Sequence, residues 1–225
     1  LGEDTPLDSW QLLFDPANAA ALSDCGITIV EDMTDVVSSA LIAAGRSTRD
    51  ANPDDLAAAA ALLQGIRPHV VVRDADVVDD AVADGTACLV LGYSGDLARA
   101  REEAAAEGRQ VDYVIPREGA VRWVDVMAIP ADAPHPENAH RFINHLLRPD
   151  VIASISNSLR YANANVEATE LLEDSLRADR SVFPDPDVAA RLSDAPLLPD
   201  DARARWRTLW NAFKASSPGP SAPPG

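Results

Sequence analysis

Two pairs of aromatic and acidic residues are the part of the sequence best suited to bind a ligand. Tyr93 and Asp96 lie three positions apart in a Gly-Tyr-Ser-Gly-Asp stretch, and Trp123 and Asp125 alternate within a strand-like segment. Tyr161 adds a further ring beside a turn-prone Ala-Asn-Ala-Asn run. An aromatic face attracts an organic cation, while a carboxylate accepts the N–H donors of that cation. These residue types at these spacings predict a binding site for an ammonium group.

The segments that must position these residues alternate between strands and helices. Short apolar runs bounded by turn residues predict three strands, at residues 27–30, 69–72 and 87–91. Periodic apolar positions predict helices between and after them, at residues 34–44, 52–65, 76–83 and 96–107. This order implies βαβ units and a largely parallel sheet. Tyr93 follows the third strand, and ligands of open α/β sheets bind outside the carboxyl ends of the strands.

The pattern changes after Gly108. Two further strands are predicted at residues 111–115 and 121–129, and the second contains the alternation of Trp123 and Asp125. Helices are predicted to follow at residues 135–147, 149–157, 166–172, 186–192 and 199–215. The last helix has an aromatic and aliphatic stripe that predicts a core-facing surface, formed by Trp206, Leu209, Trp210 and Phe213. Residues 216–225 are rich in Pro, Gly and Ser, and predict a disordered tail.

Composition narrows the class of protein. The chain has 225 residues, of which 47% are hydrophobic, and this is ample for a buried α/β core. Its net charge of −17 argues against nucleic acid and anionic membrane surfaces as partners, since both would repel it. No apolar run approaches the roughly 18 residues that span a bilayer, so no membrane insertion is expected. The first residues do not form a signal peptide, so we expect a mature or truncated chain.

The enzyme motifs that this sequence resembles each lack a required residue or spacing. Residues 92–95 resemble a nucleophile elbow, but Asp96 stands where that motif requires its final glycine. His140 and His145 are five positions apart, which is not the spacing of a helical zinc pair. We therefore expect no enzyme, no metal and no cofactor. The remaining enzymatic alternative uses Asp96 and Asp125 as an acid/base pair.

Each candidate acid also has a structural alternative. Asp96 follows Gly95 at a natural helix start and could be only an N-cap. Asp35 could be a first-turn residue that complements the helix dipole. Asp125 is flanked by apolar residues, so burial would require a cationic ligand or an internal Arg. Tyr161 could cover the core instead of a ligand.

Four ordered segments resemble the periplasmic polyamine-binding proteins of bacterial ABC transporters, most closely the putrescine-binding type. They are Gly92–Asp96, Ile115–Ala120, Asn144–Val151 and Tyr161–Asn165. The similarity extends from about residue 1 to about residue 214. It implies an α/β fold that is type II periplasmic-binding-protein-like, with parallel or mixed sheets flanked by helices and a ligand cleft between two lobes. Carried over by position, it implies a ligand-binding set of Asp35, Tyr93, Asp96, Trp123, Asp125 and Tyr161.

The resemblance also implies a domain organisation. Members of that family carry a long stretch before the segment that matches Leu1, so the first lobe is expected to be incomplete. Residues 1–110 would form the second lobe, residues 111–195 part of the first lobe, and residues 196–215 a terminal helix that returns to the second lobe.

The resemblance further implies partners and a location. The ligand would be a polyamine such as putrescine or spermidine, and the protein partner an ABC permease, in the periplasm or at the cell surface. The missing N-terminal half or self-association would complete the structure. The family more often has Trp at Tyr93, and Trp123 is Phe in the putrescine-binding type, which leaves the preferred polyamine open. A binding-incompetent remnant or an amine-sensing domain is the alternative.

The two cysteines, Cys25 and Cys88, stand at the edges of predicted strands. The resemblance implies that they form a disulfide, which suits an exported protein. Two buried reduced thiols are the alternative.

Overall fold

The computed structural model describes residues 1–2, 5–49 and 51–215. Its larger sheet has three parallel strands in the order β2-β1-β3. They are β1 (Ile27–Val30), β2 (Val71–Arg73) and β3 (Leu89–Leu91). All four residues of β1 are buried, since this strand pairs on both sides and is covered on both faces. The three predicted strands are confirmed, with later starts for the second and third.

Helices surround this sheet. In the first half of the chain they are α1 (Gln11–Phe14), α2 (Pro16–Leu22), α3 (Met33–Ala43), α4 (Pro53–Ile66), α5 (Asp80–Ala83) and α6 (Ser94–Ala106), with a short 3₁₀ turn at Arg67–His69. The helix predicted at residues 76–83 is shorter than expected, because residues 75–79 form turns before α5 begins. Asn52 caps α4 by accepting the backbone N–H groups of Asp54 and Asp55, with donor–acceptor distances of 2.8 and 3.1 Å.

Helices are the main regular elements in the second half of the chain. It contains β4 (Val121–Arg122), α7 (Pro136–Leu146), α8 (Pro149–Leu159), a 3₁₀ segment (Val166–Leu171), α9 (Asp174–Arg177), α10 (Pro186–Ala189), β5 (Ser193–Asp194) and α11 (Asp200–Ala215). β4 and β5 form a separate parallel pair. The helix predicted at residues 166–172 is a 3₁₀ segment, and the one at residues 186–192 ends at Ala189.

The final helix packs against the main core. Trp206, Trp210 and Phe213 are buried in the same cluster as the side chains of β1, α3 and α4. Beneath them, the buried Arg67 donates from Nε to the Phe213 carbonyl at 2.8 Å and from Nη1 to the Val70 carbonyl at 3.0 Å. Burial lowers the pKa of Arg67. The core-facing role predicted for the stripe on this helix is confirmed.

The strands predicted at residues 111–115 and 121–129 are largely absent from the described structure. Within the described residues, the first has no strand pairing, and only Val121 and Arg122 of the second are paired. A strand forms only where a neighbouring strand supplies hydrogen bonds. In the described chain, the partner strand for this region is β5, which has only two residues. Alternation of apolar and polar residues marks the segment as strand-like but does not supply this neighbour.

Cys25 and Cys88 form a disulfide, with their Cα atoms 5.6 Å apart. The expected pairing is thus present, and the alternative of two buried reduced thiols is wrong, because both residues are also exposed. The tail expected at residues 216–225 lies outside the described residues. Within the described part of the chain, no helix combines the length and the apolar character needed to cross a bilayer. The division into lobes stays a prediction.

Candidate ligand-binding site

The carboxyl ends of β1 and β3 bring the first three candidate residues together. These strands are neighbours in the sheet, and the chain leaves each of them into a helix. Asp35 lies in the first turn of α3, while Tyr93 is the N-cap residue of α6 and Asp96 lies in the first turn of α6. The first turns of two helices therefore point positive dipole ends toward this edge of the sheet, each with an acid in place.

Asp35 is an almost fully buried acid, with 8% of its surface exposed. Its Oδ1 accepts a hydrogen bond of 2.7 Å from Nε1 of Trp123, whereas no donor among the described residues meets its buried Oδ2 with full hydrogen-bond geometry. Burial raises the pKa of the Asp35 carboxyl and the nearby Asp32 carboxylate adds to this shift, while hydrogen-bonding interactions with Trp123 and with the Tyr93 hydroxyl oppose it. A buried carboxylate oxygen with a free lone pair is unfavourable until a donor binds to it.

Tyr93 lies next to Asp35 and lines the same candidate site. Its ring is half-buried and packs against the main core. Burial raises the pKa of the Tyr93 hydroxyl, and the negative charge of Asp35 and a hydrogen-bonding interaction with that carboxylate raise it further. The Tyr161 hydroxyl adds a smaller contribution in the same direction.

Asp96 accepts two hydrogen bonds through its two oxygens. The Tyr161 hydroxyl donates to Oδ2 at 2.8 Å, and Nη2 of Arg99 donates to Oδ1 at 2.8 Å. Burial raises the pKa of Tyr161, and the hydrogen bond to Asp96 raises it further. The Tyr161 ring lies directly on Gly95, because a Cβ at that position would stand 2.3 Å from Cδ2 of the ring. Any larger residue at position 95 would displace Tyr161.

Trp123 is held in place from the other side of the site. It follows β4, whose Arg122 forms an ion pair with Asp194 of β5, with 2.6 Å between Nη2 and Oδ1. The preceding loop is anchored by Nε1 of Trp10, which donates to the Gly119 carbonyl at 2.8 Å. Trp123 keeps 49% of its surface exposed, so part of its ring is free to contact a ligand.

For Asp96 and Asp35 the structure distinguishes a capping role from other roles. Asp96 is not an N-cap, since Tyr93 holds that position and makes no capping hydrogen bond. The N-cap of α3 is Asp32, which accepts the Asp35 N–H at 2.9 Å. Asp35 is therefore a first-turn residue as the alternative stated, and its carboxylate also contacts Trp123.

Asp125 is not brought into the cluster. Its side chain is exposed and forms neither a hydrogen bond nor an ion pair with the described residues. The expected burial in a strand is wrong, because residues 124–127 are exposed in the described structure. An internal Arg partner is likewise not found there.

Arg99 and Gly95 belong to the site but were not expected from the sequence. A signal for Arg99 was present, because residues three apart on a helix face each other and Asp96 precedes Arg99 by three positions. No sequence signal places the Tyr161 ring on Gly95, since the two residues are brought together only by the tertiary fold.

The cluster has a clear chemical preference. It gathers Asp32, Asp35 and Asp96, with Arg99 as a nearby cation, around the rings of Tyr93, Tyr161 and Trp123. Excess negative charge, one unpaired buried carboxylate oxygen and several aromatic faces favour an organic cation.

Comparisons with known proteins agree with this preference. The chain matches the bacterial extracellular solute-binding protein family over residues 1–183, and it belongs to that family. It is 36% identical over 219 residues to the putrescine/agmatine-binding protein of Pseudomonas aeruginosa, covering 96% of this chain and 60% of that protein. It is 37% identical to the putrescine-binding periplasmic protein PotF of Escherichia coli, covering 96% of this chain and 59% of PotF.

Solved structures show the same fold. A Listeria monocytogenes protein assigned to a spermidine/putrescine ABC transporter superposes with a TM-score of 0.83 at 29% identity, covering 94% of this chain and 62% of that one. The spermidine/putrescine substrate-binding protein PotD of Streptococcus pneumoniae superposes with a TM-score of 0.77 over 94% of this chain and 63% of PotD, at 21% identity. The predicted periplasmic-binding-protein fold and the family resemblance are confirmed.

The family consists of solute-binding proteins and not of enzymes. This chain spans about 60% of the length of the curated relatives that it matches.

Proposed function

We propose that this chain forms the amine-recognising part of an extracytoplasmic solute-binding protein. Its ligand is a polyamine such as putrescine or spermidine, which it delivers to an ABC permease. The residues proposed to contact the ligand are Asp35, Tyr93, Asp96, Trp123 and Tyr161 of the cluster, together with Asp125, which lies outside the cluster and is exposed two positions after Trp123. The disulfide agrees with a periplasmic or cell-surface location, because such bonds persist in oxidising compartments.

The observation that carries this proposal is the buried, unpartnered Oδ2 of Asp35. Trp123 fixes the other oxygen of this carboxylate, and Tyr93 lies beside it. An ammonium group would supply the missing donor and neutralise the buried charge in one step. The rings of Tyr93, Trp123 and Tyr161 would then pack against the methylene groups of the ligand.

Asp125 gives a test of the proposed binding mode. We expect Asp125→Asn to weaken putrescine binding by about 1.5 kcal/mol, the lower end for a hydrogen bond to a charged group, because this acid is exposed. Isothermal titration calorimetry with putrescine and spermidine measures the change. Asp54→Asn, which removes the same charge from an exposed position of α4, should leave the affinity unchanged. Equal affinity in wild type and Asp125→Asn would remove Asp125 from the site, and no binding by the wild type would favour a remnant.

The exposed segment after β4 leads to a second proposal, that two copies of the chain associate. Val124 is 64% exposed, Val126 84% and Met127 53%, and within the described structure α7 buries none of its residues, with Phe142 58% exposed. A strand-like apolar segment with unpaired backbone groups favours pairing with another chain. We propose that the chain, when produced by itself, pairs with a second copy through residues 123–127.

Sedimentation velocity over a concentration series tests this association. We expect a concentration-dependent shift toward a dimer, and a monomer for the double variant Val126→Asp and Met127→Asp, because two buried charges in the interface oppose pairing. Leu197→Asp is the matched control, since Leu197 is 99% exposed but lies outside the segment. A compact monomer at every concentration would contradict the association, and submicromolar putrescine binding by that monomer would show that the chain forms a complete site alone.

A further inference from the structure

Asp96 is already paired with a cation of the protein itself. Nη2 of Arg99 lies 2.8 Å from Oδ1 of Asp96, and Tyr161 donates to Oδ2 of the same carboxylate. The other proposed ligand acid, Asp35, has no cationic partner within the described residues. The two acids of the cluster therefore offer different environments to an incoming ammonium group.

An ammonium group that approaches Asp96 must meet the guanidinium of Arg99. Two cations that share one carboxylate repel each other at short distance, and this repulsion is stronger near the protein surface than in bulk water. The Arg99 side chain is 41% exposed, so it has room to move away, and its buried Nε has no hydrogen-bond partner that would hold it.

A second carboxylate also interacts electrostatically with Arg99. The half-buried Asp79 interacts electrostatically with both members of the pair, as its pKa reflects: burial raises the pKa of Asp79, the charge of Asp96 adds to the rise, and the charge of Arg99 opposes it. The attraction of the Asp79 charge for Arg99 therefore adds to that of Asp96.

We propose that Arg99 is a specificity-determining residue, which competes with the ammonium group of the ligand for Asp96. This inference rests on the proposed function. The site binds one ammonium group at full strength, at Asp35, and a second ammonium group binds at Asp96 only by displacing Arg99. The charge at the second end of an amine therefore contributes little to affinity in the wild-type protein.

Comparing two ligands with the same four-carbon chain isolates the contribution of the second ammonium group to affinity. Putrescine carries two ammonium groups and butylamine carries one. In the wild type we expect putrescine to bind no more than about tenfold more tightly than butylamine, because Arg99 offsets the second charge. A gap larger than about tenfold would overturn the inference, and this measurement does not depend on the folding of any variant.

Arg99→Gln removes the competing charge and keeps a polar side chain of similar length. We expect it to tighten putrescine binding by about five- to tenfold and butylamine binding by less than about twofold, measured by calorimetry. Arg99→Lys keeps the charge and should bind both amines as the wild type does. Arg207→Gln, a control with the same change in net charge, replaces an exposed residue of α11 and should bind as the wild type does.

The outcomes separate this inference from the proposed function. Tighter putrescine binding in Arg99→Gln, or binding that appears only in this variant, supports the competition. Equal or weaker putrescine binding in Arg99→Gln overturns it, and the proposed function then stands if the wild type binds. No amine binding by either protein overturns both.

Discussion

Replacing Cys25 and Cys88 together with serine should lower the free energy of unfolding by about 4 kcal/mol, because the disulfide closes a loop of 63 residues in the unfolded chain. Both cysteines are exposed, so loss of side-chain packing adds little. A loss of this size is a large share of the stability of an ordinary domain and lowers the melting temperature by roughly 10 °C. Thermal and urea unfolding monitored by circular dichroism measure it.

Reduction of the wild-type protein provides the matched control for this prediction. Dithiothreitol should lower the melting temperature of the wild type toward that of the double variant and leave the variant unchanged. Two titratable thiols in the denatured, unreduced wild type would contradict the disulfide, and a variant as stable as the wild type would contradict its stabilising role.

Asp35→Asn should have opposite effects on ligand binding and on stability. Putrescine binding should weaken by about 3 kcal/mol, or roughly 100-fold, because a buried carboxylate loses both its charge and its free acceptor oxygen. Stability at neutral pH should rise by about 1 kcal/mol, because Asn still accepts the Trp123 hydrogen bond without a buried charge. Calorimetry and thermal unfolding at pH 7 measure the two effects.

The pKa of Asp35 gives this prediction a pH dependence. Burial holds the pKa above its ordinary value in the folded state, so the protonated side chain favours folding. That contribution is complete below the pKa of the unfolded chain and is lost as the pH rises through the raised folded pKa. The stability gain of Asp35→Asn should therefore vanish in acid.

Asp24→Asn is the control for Asp35→Asn, since Asp24 is exposed and lies before the amino end of β1, at the opposite edge of the sheet. It should change neither stability nor affinity. A variant at Asp35 that binds putrescine as tightly as the wild type would remove this carboxylate from the site. A variant that is less stable at neutral pH would show that the buried charge is compensated in the folded protein.

The sequence alone determined the elements that local patterns encode. Apolar runs between turn residues predicted β1, β2 and β3, because a strand inside a sheet is buried on both faces. Apolar residues at helical spacing predicted α3, α4, α6, α7, α8 and α11, because this spacing is typical of a helix that buries one face. The placement of Tyr93 at the carboxyl end of a strand also followed from local order along the chain. These features depend on residues that are near one another in the sequence.

The tertiary structure alone decided which of the candidate residues meet. Trp123 reaches Asp35 across 88 positions and Tyr161 reaches Asp96 across 65, whereas Asp125, two residues from Trp123, stays exposed. Strand pairing likewise left residues 123–129 without a partner strand among the described residues, since alternation specifies two faces but not a neighbour. Contacts between distant segments depend on the packing of whole elements, and no spacing within a single segment encodes them.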